Sequence, residues 1–205
     1  MTNEPSPPSR RWVSRAGEKL DHALREFQVD VTGLRCADFG CSTGGFTDCL
    51  LQHGATQVIS VDTAYGVLDW TLRQDDRVEV RERTNVMHAE PPEDLVDLIV
   101  IDTGWTPQAR VLPVAAQWLA TGGRVISLIK PHYERSAESR GGRGGTLSDE
   151  EAHEVLDRTL ESLPGMGWTV LARTTSPIRG AKSSRKKKSA GNLEFLALLE
   201  PLPDP

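Results

Sequence analysis

No apolar run in this chain approaches the ~20 residues that a membrane-spanning helix requires, so a helical membrane protein is excluded at the outset. The sequence also lacks a long amphipathic stretch suited to lying on a membrane surface. The N-terminus, residues 1–11, is polar and proline-rich, without the apolar centre of a secretory signal. It reads as a disordered leader, and the expected compartment is the cytoplasm. Cysteine is scarce: Cys36, Cys41 and Cys49 are an odd set crowded into one stretch. Neither a CxxC pair nor matching histidines accompany them, which argues against a disulfide framework and a zinc site. They are read as reduced, and no metal is expected.

Excess positive charge is missing as well. The net charge is -5, on its face wrong for a nucleic-acid binder. Yet the charge is segregated. Lys182, Arg185, Lys186, Lys187 and Lys188 form one basic block, Arg10, Arg11 and Arg15 a second, and Arg135, Arg140 and Arg143 a third, while acids gather near 90–94 and 149–154. Binding responds to the local field rather than to the sum. Two readings of each block stand: an RNA contact, or a solvated loop that is merely basic.

What is present describes a globular enzyme-sized domain. A hydrophobic fraction of 38% and a charged fraction of 26% suit a soluble fold. A chain of 205 residues suits one α/β domain, placed here at 12–205. There is no internal repeat. Leu20, Ala23, Leu24 and Phe27 fall at helical spacing, with Ser14 the candidate N-cap. Short strands are predicted at 35–39, 57–61, 78–82 and 124–129, with a strand buried on both faces at 95–101. Helices are predicted at 46–52, 66–73 and 109–119, the last ended by Gly122 and Gly123. Residues 135–145 read as a mobile loop. Ser148 and Glu151 form a capping box for a further helix. The last two strands, at 168–175 and 193–199, flank the main basic block, as a hairpin with a functional tip would. Strands alternating with helices imply a mostly parallel sheet covered on both faces, closed by an antiparallel hairpin. Ligands in such sheets bind outside the carboxyl ends of the strands.

The run Asp38-Phe39-Gly40-Cys41-Ser42-Thr43-Gly44-Gly45-Phe46 follows a strand and opens a helix. It has no Gly-Lys-Ser/Thr, which excludes a P-loop, and Ser42 stands where a dinucleotide fingerprint needs glycine. The remaining form, D-x-G-x-x-x-G, is the one associated with S-adenosylmethionine. Asp62 ends the second strand, where an acid can accept from two ribose hydroxyls or cap the following turn. Asn85 follows the third strand, where an amide can pair with an adenine edge or serve as an ordinary turn residue. Their order after successive strands favours an adenosyl cofactor. The cofactor-binding set is therefore Asp38, Gly40, Ser42, Thr43, Gly44, Gly45, Phe46, Asp62 and Asn85, with Asp102 at the end of the apolar strand.

Several further motifs occur in order: Ser14-Arg15-Ala16-Gly17-Glu18-Lys19-Leu20, Val31-Thr32-Gly33, Glu82-Arg83-Thr84-Asn85, Ile129-Lys130-Pro131 and Gly191-Asn192-Leu193-Glu194-Phe195. With the glycine turn, they make residues 12–200 resemble the haemolysin A (TlyA) group of FtsJ-like RNA methyltransferases. The resemblance implies a class I methyltransferase fold, 2′-O methylation of RNA, ribosomal RNA as partner, and a Lys-Asp-Lys-Glu tetrad falling on Lys19, Asp102, Lys130 and Glu194. Two departures stand out. Members of the group usually carry an N-terminal S4-type RNA-binding domain, where this sequence has only a short leader. Thr103-Gly104-Trp105-Thr106 also replaces the Val-Ser-Phe expected after the tetrad aspartate.

The chemistry asks for such residues. A ribose hydroxyl is a weak nucleophile at neutral pH, so proton removal or strong polarisation helps. A free lysine, with a pKa of about 10.4, is a poor base; a second lysine and a cationic sulfonium nearby favour its neutral form, whereas carboxylates oppose that. The assignment is Lys130 as base or hydroxyl orienter and Lys19 as polarising group, with Asp102 and Glu194 orienting the lysines. Against it, Lys19 reads equally as a solvated helix residue, Lys130 as a strand-end lysine, and Glu194 as the outward residue of an alternating strand. Arg15, Arg140, Arg143 and the 182–188 block are the candidate RNA contacts, and Trp105, Tyr133 or His132 could stack on a splayed base. A small-molecule O-methyltransferase and a non-catalytic cofactor- and RNA-binding assembly factor are the competing functions.

Overall fold

The computed structural model describes residues 11–138, 146–180 and 191–203. Seven strands form one sheet: β1 (Arg35–Phe39), β2 (Gln57–Val61), β3 (Val78–Arg81), β4 (Val96–Ile101), β5 (Leu119–Ile129), β6 (Trp168–Thr175) and β7 (Phe195–Pro201). Their order is β3-β2-β1-β4-β5-β7-β6. Pairings from β3 through β5 are parallel, and β7 inserts antiparallel between β5 and β6. The strand order therefore reverses between β1 and β4. The crevice beyond the carboxyl ends of those two strands is the ligand position that this topology creates.

Period-2 alternation splits the central strands between two cores. Ala37, Phe39, Ile99 and Ile101 face a cluster with Leu112, Trp118, Val155 and Leu156. Cys36, Leu98, Val100 and Ile126 face the other, with Leu20, Leu24, Phe46 and Leu50. The first cluster is covered by α4 (Gln108–Trp118) and α6 (Asp149–Ser162), the second by α1 (Ala16–Glu26) and α2 (Gly45–Gln52). Each such large apolar side chain, fully buried, contributes about 1.5–3 kcal/mol. All three cysteines are free and buried within the second cluster.

Several boundaries differ from expectation, each for a local reason. Ser14 is not the N-cap of α1. Arg15 holds that position without a side-chain bond, and Ser14 Oγ instead accepts from Ala16 N at 3.3 Å. The helix predicted at 66–73 shrinks to α3 (Trp70–Arg73), because the amides of Gly66, Val67 and Leu68 are bound by Glu82. Gly122 and Gly123 do not end α4; β5 already begins at Leu119, and the glycines sit where its register against β4 shifts. Arg135 lies in a helix, α5 (Pro131–Glu138), rather than in a loop. Proline at the first helical position starts that helix, where its missing N–H costs nothing. The Ser148–Glu151 capping box is present at α6.

Candidate active site

The chain leaves β1 through Gly40 with φ +87°, and a Cβ there would lie 2.8 Å from Asp102 O. Only glycine lets the β1 and β4 exits approach backbone to backbone. Gly40 N and Cys41 N both donate to Val61 O, at 2.8 and 3.2 Å, which ties the turn to the end of β2.

A cavity of about 370 Å³ opens at this point, a size ordinary for a small-molecule site. Gly40, Ser42, Asp62, Asn85, Asp102 and Lys130 line it, as do Thr63, Thr84, Thr103, Gly104 and Thr106. The threonines and Gly104 were missed in the sequence. Their signal was adjacency, since each follows closely on Asp62, Glu82 or Asp102, the first residues after β2, β3 and β4. Asp62 caps the turn that follows β2, one of its two readings. Its oxygens accept from Ser42 N and Ala64 N, each at 2.8 Å, so it builds the turn. A carboxylate has about four acceptor sites, so two remain for hydroxyls. Asn85 likewise caps a short 3-10 turn by accepting from Met87 N at 3.0 Å, while its amide donors stay available.

Asp38, Thr43, Gly44, Gly45 and Phe46, also assigned to the cofactor from sequence, do not line this cavity. Asp38 is wholly buried. It accepts from Thr47 N at 2.9 Å and Thr47 Oγ1 at 2.7 Å, which pins the start of α2 beneath the turn. Burial, reinforced by Asp102 and Asp62 against the Thr47 donors, pushes its pKa up to about 7. Phe46 packs in the second core cluster, and Gly45 backs onto Ser14 and Ala16. Thr43 O and Gly44 meet the segment before α3. These residues hold the turn from behind.

The four tetrad candidates form two ion pairs. Lys19 Nζ donates to Glu194 Oε2 at 2.5 Å, with both residues buried, so neither the solvated-helix nor the outward-strand reading holds. Lys130 pairs with Asp102 and also donates to Thr103 O at 3.3 Å. Burial works to lower the Lys130 pKa, but Asp102 and then Glu194 outweigh it and hold the ammonium above its ordinary value. Glu194 thus acts on both lysines. The free protein carries Lys130 charged at neutral pH.

Beside Lys130 lies an aromatic group. Trp105 is 74% exposed and adopts φ +63°, a costly conformation for a bulky residue. Its ring lies 4.8 Å from that of Tyr133, which in turn lies 4.1 Å from His132. Burial, then Lys130, pushes the His132 pKa down to about 4, so this imidazole is neutral. Among the RNA candidates, Arg15 is exposed at the start of α1; Arg140, Arg143, Lys182, Arg185, Lys186, Lys187 and Lys188 lie outside the described residues. Among the described residues, Asp21, Cys49 and His53 are close enough to hold a metal. However, Arg11, Arg25 and His53 already engage Asp21, and burial pushes the Cys49 thiol well above its ordinary range.

The model of the FtsJ-like methyltransferase family matches residues 12–187. The chain belongs to the FtsJ-like methyltransferases. Among its relatives, a Bacillus subtilis protein named as a candidate rRNA methyltransferase, YqxC, is 40% identical over 91% of this chain and 64% of its own length. The Mycobacterium tuberculosis 16S/23S rRNA (cytidine-2′-O)-methyltransferase TlyA is 37% identical over 93% of this chain and 69% of its own. The chain thus spans about two thirds of the length of these relatives. A solved hemolysin candidate from Streptococcus thermophilus superposes with a TM-score of 0.84 at 37% identity, covering 100% of this chain and 70% of that one. The class I fold recurs in solved S-adenosylmethionine-dependent methyltransferases of much lower identity. No helix among the described residues is long and apolar enough to cross a membrane.

Proposed function

We propose that this FtsJ-like methyltransferase uses S-adenosylmethionine to methylate the ribose 2′-hydroxyl of ribosomal RNA, in the cytoplasm. The observation that carries the reading is the Lys130–Asp102 pair opening onto the strand-end cavity, with Glu194 of the buried Lys19–Glu194 pair acting on the same lysine. The names of the relatives supply the RNA and the ribose position.

The cavity fits the cofactor. Asp62 has lone pairs left for ribose hydroxyls, Asn85 has amide donors left for an adenine edge, and Gly40 and Ser42 bring backbone to the remainder. S-adenosylmethionine, when bound, supplies an electrophilic methyl group on a sulfonium. The chain's own residues must then place a hydroxyl oxygen in line, ~3–3.5 Å from that carbon. Lys130 enters as the ammonium and first donates to and orients the oxygen; Asp102 fixes its direction. Taking the hydroxyl proton needs the neutral amine, which added positive charge in the cavity favours and the two carboxylates resist. The Trp105–Tyr133 pair, with Trp105 between the cavity-lining Gly104 and Thr106, offers a face on which a splayed acceptor base can stack.

Incubation with labelled S-adenosylmethionine and total cellular RNA, followed by mapping of labelled sites, tests the reading. Label at 2′-O positions of rRNA is expected. Transfer to small hydroxyl compounds, insensitive to salt, would replace it with the small-molecule alternative. Lys130→Ala should abolish transfer while cofactor affinity stays nearly intact. Normal turnover in that variant refutes the assignment.

A further inference from the structure

Glu82 directly follows β3 in the run Glu82-Arg83-Thr84-Asn85, and it takes no part in the chemistry proposed above. Its side chain is 5% exposed. The carboxylate accepts from Gly66 N at 2.8 Å, Val67 N at 3.3 Å and Leu68 N at 3.4 Å, and it pairs with Arg73. Arg73 Nε donates in turn to Leu68 O at 3.2 Å. One fixed anion thus gathers the whole segment 66–73. The Arg73 contact, with the backbone amides, brings its pKa down to about 2, so the anion persists over the working pH range.

That segment presses on the glycine turn. Asp69 N donates to Thr43 O at 3.2 Å. Gly44 has φ +96°, and a Cβ there would lie 2.2 Å from Leu72 Cδ1 and 2.8 Å from Leu68 Cδ1, so both leucines are seated directly on it. At its other end the segment continues into Asp62, whose carboxylate holds Ser42 N. Arg83 N donates to Ala64 O at 3.0 Å and Thr84 N to Asp62 O at 2.9 Å, which closes the same wall of the cavity. Glu82, which does not line the cavity, is thus bonded to the segment that contacts the glycine turn and continues into Asp62.

We infer that Glu82 is a positioning residue for the cofactor: through the 66–73 segment it holds the 40–45 turn in the shape that accepts an adenosyl ligand. The inference rests on the cofactor reading above. In Glu82→Gln the second acceptor oxygen becomes an NH2 facing amide and guanidinium donors, so the gathering fails without loss of volume.

The test is calorimetric titration of the full chain with S-adenosylhomocysteine, which needs no RNA, combined with amide hydrogen exchange. Loss of these charge-assisted bonds should weaken binding about tenfold. The kcat at saturating cofactor should stay within about twofold, since the tetrad is untouched. Glu82→Asp, which keeps the charge, should recover part of the affinity. Exchange should accelerate at 42–45 as well as at 66–68. Unchanged affinity in folded Glu82→Gln overturns the inference, as does faster exchange confined to 66–68. Should Glu82→Gln fail to fold, Arg73→Gln should weaken binding about threefold, and unchanged affinity there is equally fatal. If the wild-type chain does not bind S-adenosylhomocysteine, the cofactor reading fails and takes this inference with it. If wild type and Glu82→Gln bind equally, Glu82 alone is misassigned.

Discussion

Lys19 and Glu194 stand 175 positions apart in sequence and meet at 2.5 Å in the interior. An amine and a carboxylate so placed have lost most of their hydration, and mutual attraction repays this only while both are present. Removing one partner strands the other. Lys19→Met should therefore destabilise the protein by about 3–5 kcal/mol, read as a shift in the urea midpoint. The double variant Lys19→Met/Glu194→Leu should recover most of that stability while methyl transfer stays abolished. Equal destabilisation in single and double variants would mean that the residues are not coupled. Recovery of stability without recovery of activity is the signature of a pair retained for chemistry. The sequence could place Lys19 on a helix and Glu194 on a strand, but not against one another, because nothing local encodes a contact of that span.

At the scale of elements, Asp38 joins β1 to α2. One of its oxygens takes both Thr47 donors, while the other is buried without a hydrogen-bond partner among the described residues, which disfavours the charged form. With a folded pKa near 7 against 3.8 for an ordinary aspartate, the folded state holds a proton that the unfolded chain has already released. Stability from this group is then greatest at low pH and declines as pH rises from about 4 to 7. Asp38→Asn removes the decline. Relative to wild type, the variant should gain on the order of 2 kcal/mol between pH 5 and pH 8, measured by urea denaturation at both values. A pH-independent difference would show that Asp38 is ionised throughout. Element boundaries were legible where one rule acts alone: β1, β2 and β6 coincide with the runs read from sequence, and the capping box starts α6. They were not where a distant group competes. Glu82 takes the amides that would have extended α3. Five residues, 119–123, extend β5 where glycine was read as a helix stop. The strand-end acids of the site were legible for the same reason as the strands. The back of the glycine turn was not, because motif spacing does not separate residues that line a cavity from those that brace it.

For the molecule as a whole, a net charge of -5 must be reconciled with a polyanionic partner. The segregation of charge does this only if a basic block is held near the reacting groups. The block at 182–188 lies outside the described residues, but its two points of attachment do not. The chain leaves at Gly180 and re-enters at Gly191, with Gly180 N donating to Asn192 O at 3.0 Å and Ser176 N to Glu194 O at 2.9 Å. Those described anchor residues lie beside Glu194, whose partner Lys19 and neighbour Lys130 belong to the proposed catalytic set. Five cations in one short run suit contact with RNA phosphates, which adds affinity without sequence preference. Replacing Lys186, Lys187 and Lys188 with alanine should weaken RNA binding and reduce the slope of log K against log salt by about 2–3, roughly one for each phosphate that a lysine had neutralised. Affinity for S-adenosylhomocysteine should be unaffected, because among the described residues the cavity is lined from the ends of β1 to β5. Filter binding across a salt series reads the slope, and calorimetry reads the cofactor. An unchanged slope would return the block to the status of a solvated loop and leave exposed Arg15 and the Trp105 face to carry recognition.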